Sequence, residues 1–245
     1  MVFWQIIGAV VFASVFSLAG GIILLWKGKN FQEGRHLSII TSFAVGVLIT
    51  TVFSDLLPEA LSEGASVNEG LVAALSGIIA FFILEKLLLW YHHQHKHHDE
   101  IKPAVWLITL GDSLHNFLDG VAIATAFVLD PNLGLTVAIA VFVHEIPHEI
   151  VDFTILLNHG LSKSKTLFFN FLSALVSLVG AVITYYLSSN WQAYVPIVAA
   201  FASGNLLYIA LSDLLPEMQQ KEYSQVEIIK QTLSLLAGVL LIFLI

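Results

Sequence analysis

The chain has 245 residues, 57 % of them hydrophobic and only 11 % charged, with a mean hydropathy of +0.85 and a formal net charge of −8. A soluble domain is about a quarter charged, so this composition excludes an ordinary water-soluble fold and places the chain in lipid. The acidic balance argues against a nucleic-acid partner, and the absence of cysteine leaves only nitrogen and oxygen to hold a metal.

A helix crossing a hydrocarbon core of about 30 Å needs about 20 apolar residues. Eight stretches qualify: 3–26, 38–59, 70–90, 104–128, 133–157, 166–188, 194–216 and 226–245. They predict an all-α, polytopic membrane protein, a single domain over 1–245 whose surroundings are the lipid bilayer. In the first span, Lys27 follows the apolar run instead of preceding it, so the run reads as an uncleaved span and not a signal peptide. All ten lysines and arginines fall on one face: Lys27, Lys29, Arg35, Lys86, Lys96, Lys102, Lys163, Lys165, Lys221 and Lys230. That face is predicted to be cytoplasmic, with both termini outside, in a cell (plasma or inner) membrane. The other face holds only acids, Asp55, Glu59, Glu63, Glu69 and Asp130, a rim that concentrates cations; each one alone also reads as a solvated loop charge.

The second span, "FAVGVLITTVFSDLLPEA" (43–60), is repeated in the seventh, "FASGNLLYIALSDLLPEM" (201–218), at a constant offset of 158. The copies share Phe43/Phe201, Ala44/Ala202, Gly46/Gly204, Leu48/Leu206 and the six residues from Ser54 and Ser212 onward. Lying five spans apart, they cross in opposite directions. An inverted repeat around a central pair is a transporter signature, with the substrate near the midplane.

Between spans three and four runs "YHHQHKHHDE", whose His92, His93, His95, His97 and His98 form a tract of the kind that binds transition metals. It reads as an exchangeable tether on the cytoplasmic side, outside the transport site.

Span four carries "LGDSLHNFLDG" (110–120). At about 100° per residue, Asp112, His115, Asn116 and Asp119 share an arc of roughly 100°. Span five carries "VFVHEIPHEIVDF" (141–153), in which His144/His148, Glu145/Glu149 and His148/Asp152 are i,i+4 neighbours. Pro147 predicts a kink and a freed carbonyl. The two spans are antiparallel neighbours joined by "DPN", so four to six ligands converge at one level, with Asp112 and Asp152 deeper toward the cytoplasm as further steps along a path. A charge at the bilayer centre costs about 2.5–3.5 kcal/mol on insertion scales, and a divalent cation offsets that cost. Imidazole with carboxylate suits Zn²⁺, Fe²⁺, Mn²⁺ or Co²⁺.

"HNFLDG" (115–120), "HEIPHEIVDF" (144–153), "FNFLSAL" (169–175) and "YIALSDLLPEM" (208–218) closely resemble the ZIP (Zrt/Irt-like) metal transporters, in the branch whose fifth span reads H-E-x-P-H-E. The resemblance covers nearly the whole chain. It implies eight spans in a 3+2+3 inverted repeat: 1–91 the first repeat, 92–103 the histidine loop, 104–157 the central pair and 158–245 the second repeat. It also implies a homodimer, a sliding movement of the central helices, and uptake of Zn²⁺ or similar ions (iron, manganese, cadmium, cobalt) as substrate, with no organic cofactor. Carried over by position, one metal site falls on His115, Asp119, His144 and His148. A second falls on Asn116, Asp119, Glu145 and His148, with Asn170 where relatives carry a carboxylate; Glu149 completes the candidate ligands. The chain departs from the family at Thr51, Asp55 and Glu59, where relatives read D-x-x-x-H-L-x-P-H, and at Val151, where they have glycine.

Three rivals remain open at this point. "HEIPH" fits H-E-x-x-H, the zinc-protease motif with glutamate as general base, although here the L-D-G segment precedes it and the inverted repeat has no role. A non-transporting metal receptor and a channel-like mode share the same ligands.

Overall fold

The computed structural model describes residues 2–27, 35–94, 101–158, 160–216 and 223–244, and every regular element among them is helical. In chain order these are α1 (Val2–Val10), a π segment (Val11–Val15), α2 (Ala19–Lys27), α3 (Arg35–Thr50), a π segment (Thr51–Leu56) and α4 (Leu57–Ser62). Then come α5 (Val67–Gln94), α6 (Ile101–Leu129), α7 (Pro131–Asn158), α8 (Lys163–Ala174) and α9 (Val176–Ser188). A 3₁₀ turn (Gln192–Tyr194), α10 (Val195–Tyr208), a last π segment (Ile209–Leu214) and α11 (Gln225–Ile242) complete the order.

The chain is an all-α polytopic membrane protein. Seven helical stretches among the described residues are long and apolar enough to span: 2–26, 37–62, 67–87, 131–158, 163–188, 192–212 and 225–242. The expected fourth span is present as α6, 29 residues long, but it is not among those seven. Its centre carries Asp112, His115, Asn116 and Asp119, which lower its hydropathy.

Polarity is inside out. Leu71, Leu75, Ile79, Phe82 and Ile83 of α5 and Ile229, Leu233, Leu236 and Leu240 of α11 are exposed, while His144, Glu145 and Asp119 are buried. Only lipid makes that arrangement favourable. Trp4, Trp26, Trp191 and Tyr194 sit exposed near span ends, where amphipathic rings match headgroups.

Several predicted spans are less uniform than their sequences suggest. The first breaks at Ser17, whose Oγ–H donates to Ser14 O, and the sixth at Leu175, close to Ser177, whose Oγ–H donates to Ala174 O. Such serine back-bonding competes with the helical ladder and bends it. The second and seventh widen into π turns at equivalent positions, 51–56 and 209–214, closed by Leu57 N–H to Val52 O and Leu215 N–H to Ala210 O. In each, a proline (Pro58 or Pro216) follows within two residues and removes an α-register donor. By contrast α7 runs through Pro147 without interruption, and the missing N–H leaves Val143 O without its usual donor.

Helices approach closely where the repeat supplies glycine. A Cβ on Gly46 would lie 2.2 Å from Leu235 O, and one on its repeat-mate Gly204 1.9 Å from Ala74 O, so α3 packs on α11 and α10 on α5 with backbones in contact. The central pair is gripped in the same way. Gly20 faces Ile146 O of α7, and Gly180 faces Phe117 O of α6. These glycines close two similar tetrapeptides, Ser-Leu-Ala-Gly at 17–20 and Ser-Leu-Val-Gly at 177–180.

Candidate metal centre

α6 and α7 lie against each other in the middle of the bundle. From Pro103 to Ser162 the sequence has no lysine or arginine, yet it holds six carboxylates and three of the described histidines. Within that stretch the acids have no lysine or arginine to balance them, and imidazole or a bound cation can take that part.

Ligand atoms of His115, Asp119, His144 and Glu145 all lie within 4.8 Å of one another, and all four residues are buried. His115 Nε2 is 3.2 Å from His144 Nε2, 3.0 Å from Glu145 Oε1 and 3.5 Å from Asp119 Oδ2. His144 Nε2 is 3.4 Å from Asp119 Oδ2 and 3.6 Å from Glu145 Oε1. Bonds of about 2.0–2.2 Å to a tetrahedral ion put neighbouring ligand atoms roughly 3.3–3.6 Å apart. The donors already stand near that spacing.

The His144 tautomer follows from its surroundings. Its Nδ1 is 3.1 Å from Ala140 O, which can only accept, so Nδ1 carries a proton and Nε2 is the nitrogen turned toward the cluster. Phe81 meets His115 edge-on, with centroids 5.9 Å apart, and closes the site on the α5 side.

The remaining candidates divide. His148 is stacked on His115 outside the four-residue group, with centroids 4.7 Å apart. Asn116 is fully buried; its Nδ2 donates to Asp112 Oδ1 (2.9 Å) and Asp112 O (3.2 Å), and its Oδ1 has no hydrogen-bond partner. Glu149 is buried with neither carboxylate oxygen hydrogen-bonded, and the carboxylates of Asp112, Glu145 and Asp152 are its electrostatic neighbours. Asn170 is buried on α8 and donates to Thr166 O, 2.8 Å. Asp112, His115, His148 and Asp152 line a cavity of about 150 Å³ together with Phe81, Leu84, Glu85 and Gly111.

Asp55 lies in the π segment Thr51–Leu56 with Oδ2 buried and unbonded, and Glu59 in the first turn of α4; neither belongs to the four-residue group. His92 and His93 are on the last turn of α5, but their side chains lie outside the described residues, as do His95, His97 and His98 entirely.

Two residues were missed by sequence reasoning. Glu85 lines the cavity and accepts a short hydrogen bond from Tyr208 Oη of α10. Its signal was an acid inside the apolar run "FFILEKLLLW", which passed as a span end. Ser173 donates a short hydrogen bond to Asp112 Oδ2 and carried no signal, being a small residue of a common type.

Comparison with known proteins adds a separate line. The family described as ZIP zinc transporter matches residues 2–104 and 91–245. A protein named metal cation symporter ZIP14 of Xenopus tropicalis is 44 % identical over 127 residues, covering 50 % of this chain and 26 % of that relative. The human protein of that name is 39 % identical over 152 residues, 58 % of this chain and 30 % of the relative. Human metal cation symporter ZIP8 is 45 % identical over 119 residues, 49 % and 25 % respectively. The matched stretches thus span less than a third of the length of these curated relatives.

Proposed function

The chain belongs to the ZIP zinc transporter family, and from that premise we propose that it carries divalent transition-metal ions across a membrane into the cytoplasm, zinc foremost, with iron, manganese, cobalt and cadmium as further substrates. The observation that carries the reading is the buried quartet His115, Asp119, His144 and Glu145, contributed by two helices and held within 4.8 Å. Two imidazoles and two carboxylates fit borderline ions such as Zn²⁺ and Fe²⁺. His148, Asn116, Glu149 and Asn170 extend this set toward a second ion position.

The path runs from the acidic outer rim, through Asp55 and Glu59, to the quartet. From there the cavity lined by Asp112, Asp152 and Glu85 leads inward. The ion sheds water at the quartet, where fixed ligands replace its hydration shell. The assignment of the basic face to the cytoplasm with both termini outside, a homodimeric assembly and a cell-membrane location all belong to this proposal, as does a 3+2+3 organisation in which the helix pair 104–157 shifts against the flanking repeats. The close glycine contacts at Gly20 and Gly180 are the surfaces that such a shift would use.

The protease reading lacks support. Glu145, the expected general base, is 3.0 Å from His115 and sits among the ligands, and the similar proteins are named as metal cation symporters. The test is flux. Purified protein in sealed vesicles is expected to give saturable Zn²⁺ influx across a panel of divalent ions, and absence of flux for every ion in correctly inserted protein would overturn the proposal.

A further inference from the structure

We infer that Ser173 is a positioning residue, acting through Asp112 to fix the Asn116 amide so that its carbonyl oxygen, and not its NH₂ group, is the end left free to bind the metal. The inference rests on the transport reading above and deepens it.

An asparagine side chain is nearly symmetric in shape and opposite in chemistry at its two ends. Its oxygen can bind a cation; its NH₂ group cannot. In a buried site something must choose between the two. Here the choice is made by acceptors: the Asp112 carboxylate, at 2.9 Å, and Asp112 O, at 3.2 Å, both face Asn116 Nδ2. An amide oxygen turned that way would meet Asp112 O, a backbone carbonyl that can only accept. With Nδ2 engaged, Oδ1 is left buried and without a protein partner.

Asp112 is itself held. Its Oδ2 accepts a hydrogen bond from the hydroxyl of Ser173, a fully buried residue of α8. Ser173 Oγ also lies 2.9 Å from Asn170 O, and the carboxylate is the stronger acceptor for its single proton. Without Ser173, Asp112 could rotate into the adjoining cavity, which it already lines. The chain Ser173–Asp112–Asn116 therefore runs from the sixth span to the fourth. It gives Asp112 a positioning role in addition to lining the path.

An amide oxygen is a hard donor, so its loss should fall most heavily on hard ions. Hydrogen-bond partners of metal ligands are typically worth 10–100-fold in affinity. Ser173→Ala in reconstituted vesicles is expected to raise KM for Mn²⁺ about tenfold and for Zn²⁺ less, with turnover at saturation retained. Ser173→Thr, which keeps the hydroxyl, should restore both. In an Asn116→Ala background the further change Ser173→Ala should have no effect, since the residue acts only through Asn116. Ser173→Cys, nearly isosteric with a weak donor, serves as the second variant should alanine impair folding, and it should behave as alanine does. An unchanged KM in folded Ser173→Ala or Ser173→Cys protein would overturn the inference, as would effects of the 173 and 116 substitutions that multiply. Wild-type vesicles carrying no metal at all would instead sink the transport reading.

Discussion

The imidazole of His148 stacks on that of His115, with ring centroids 4.7 Å apart and planes inclined by 22°, although the residues come from different helices. The same His115 ring meets His144 edge-on at 5.4 Å. Three imidazoles thus crowd a space that also holds Asp119 and Glu145. Protonating all three would set like charges against one another in a buried site, whereas one divalent ion removes the conflict by taking lone pairs instead.

Metal and proton compete for those lone pairs, which fixes the sign of the pH dependence. Each imidazole that binds must first be free of its proton, so acidification weakens binding by up to about tenfold per pH unit for each proton displaced. Zn²⁺ or Co²⁺ titrations between pH 5.5 and 7.5 are expected to show an apparent Kd rising steadily toward acid. An affinity that stays flat, or strengthens on acidification, would show that the histidines do not hold the ion.

Asp119 bridges the two rings. Its Oδ2 is 3.5 Å from His115 Nε2 and 3.4 Å from His144 Nε2, and neither of its oxygens has a hydrogen bond. A fully buried carboxylate in that state is costly unless a cation completes it. Asp119→Asn keeps the shape and removes the charge, and it should lower ⁶⁵Zn uptake by at least about a hundredfold, beyond the 10–100-fold typical of a ligand's hydrogen-bond partner. Wild-type uptake by correctly inserted Asp119→Asn protein would remove the residue from the site.

Much of this centre was legible in the sequence because its chemistry is local. His144 and Glu145 are adjacent, and His115 and Asp119 share a helix face through i,i+4 spacing, on spans whose flanking residues are otherwise mostly apolar. The S-D-L-L-P-E repeat was legible for the same reason, six identical residues in a row. What escaped depends on distances that periodicity does not contain. The Ser173–Asp112 bond joins residues 61 apart, and the Tyr208–Glu85 bond joins residues 123 apart. The π turns at 51–56 and 209–214 are a one-residue change of register, invisible in a hydropathy profile. Glu149 was proposed from a helix face, Asp55 and Glu59 from the acidic rim, and Asn170 from the family resemblance; none of these signals contains the distance of a side chain from the quartet.

The glycine contacts predict an asymmetric response to the smallest possible substitution. At Gly204 an added methyl would sit 1.9 Å from Ala74 O, a backbone atom that cannot step aside, whereas Gly8 has nothing within 4 Å. Gly204→Ala should cost about 1–3 kcal/mol through forced separation of α10 from α5. Gly8→Ala should be neutral or slightly stabilising, because alanine is the better helix former. Thermal unfolding in detergent compares the two directly. Equal melting temperatures would mean that the helix pair is not packed backbone to backbone.

The Tyr208–Glu85 bond ties α10 to α5, the two helices that Gly204 and Gly77 already bring into backbone contact. A bond inside a pair that moves as one body contributes to stability and leaves the relative motion of other elements alone. Glu85 remains partly exposed to the cavity, with 34 % of its side chain accessible, so losing the phenol should cost only about 1 kcal/mol. Tyr208→Phe is therefore expected to lower the melting temperature slightly while KM and turnover for Zn²⁺ stay near wild type. Glu85→Gln, which can still accept from the phenol, should keep most of the stability. A severe loss of transport by Tyr208→Phe at unchanged stability would mean that α5 and α10 separate during the cycle, and the body that shifts would have to be drawn differently from the helix pair 104–157.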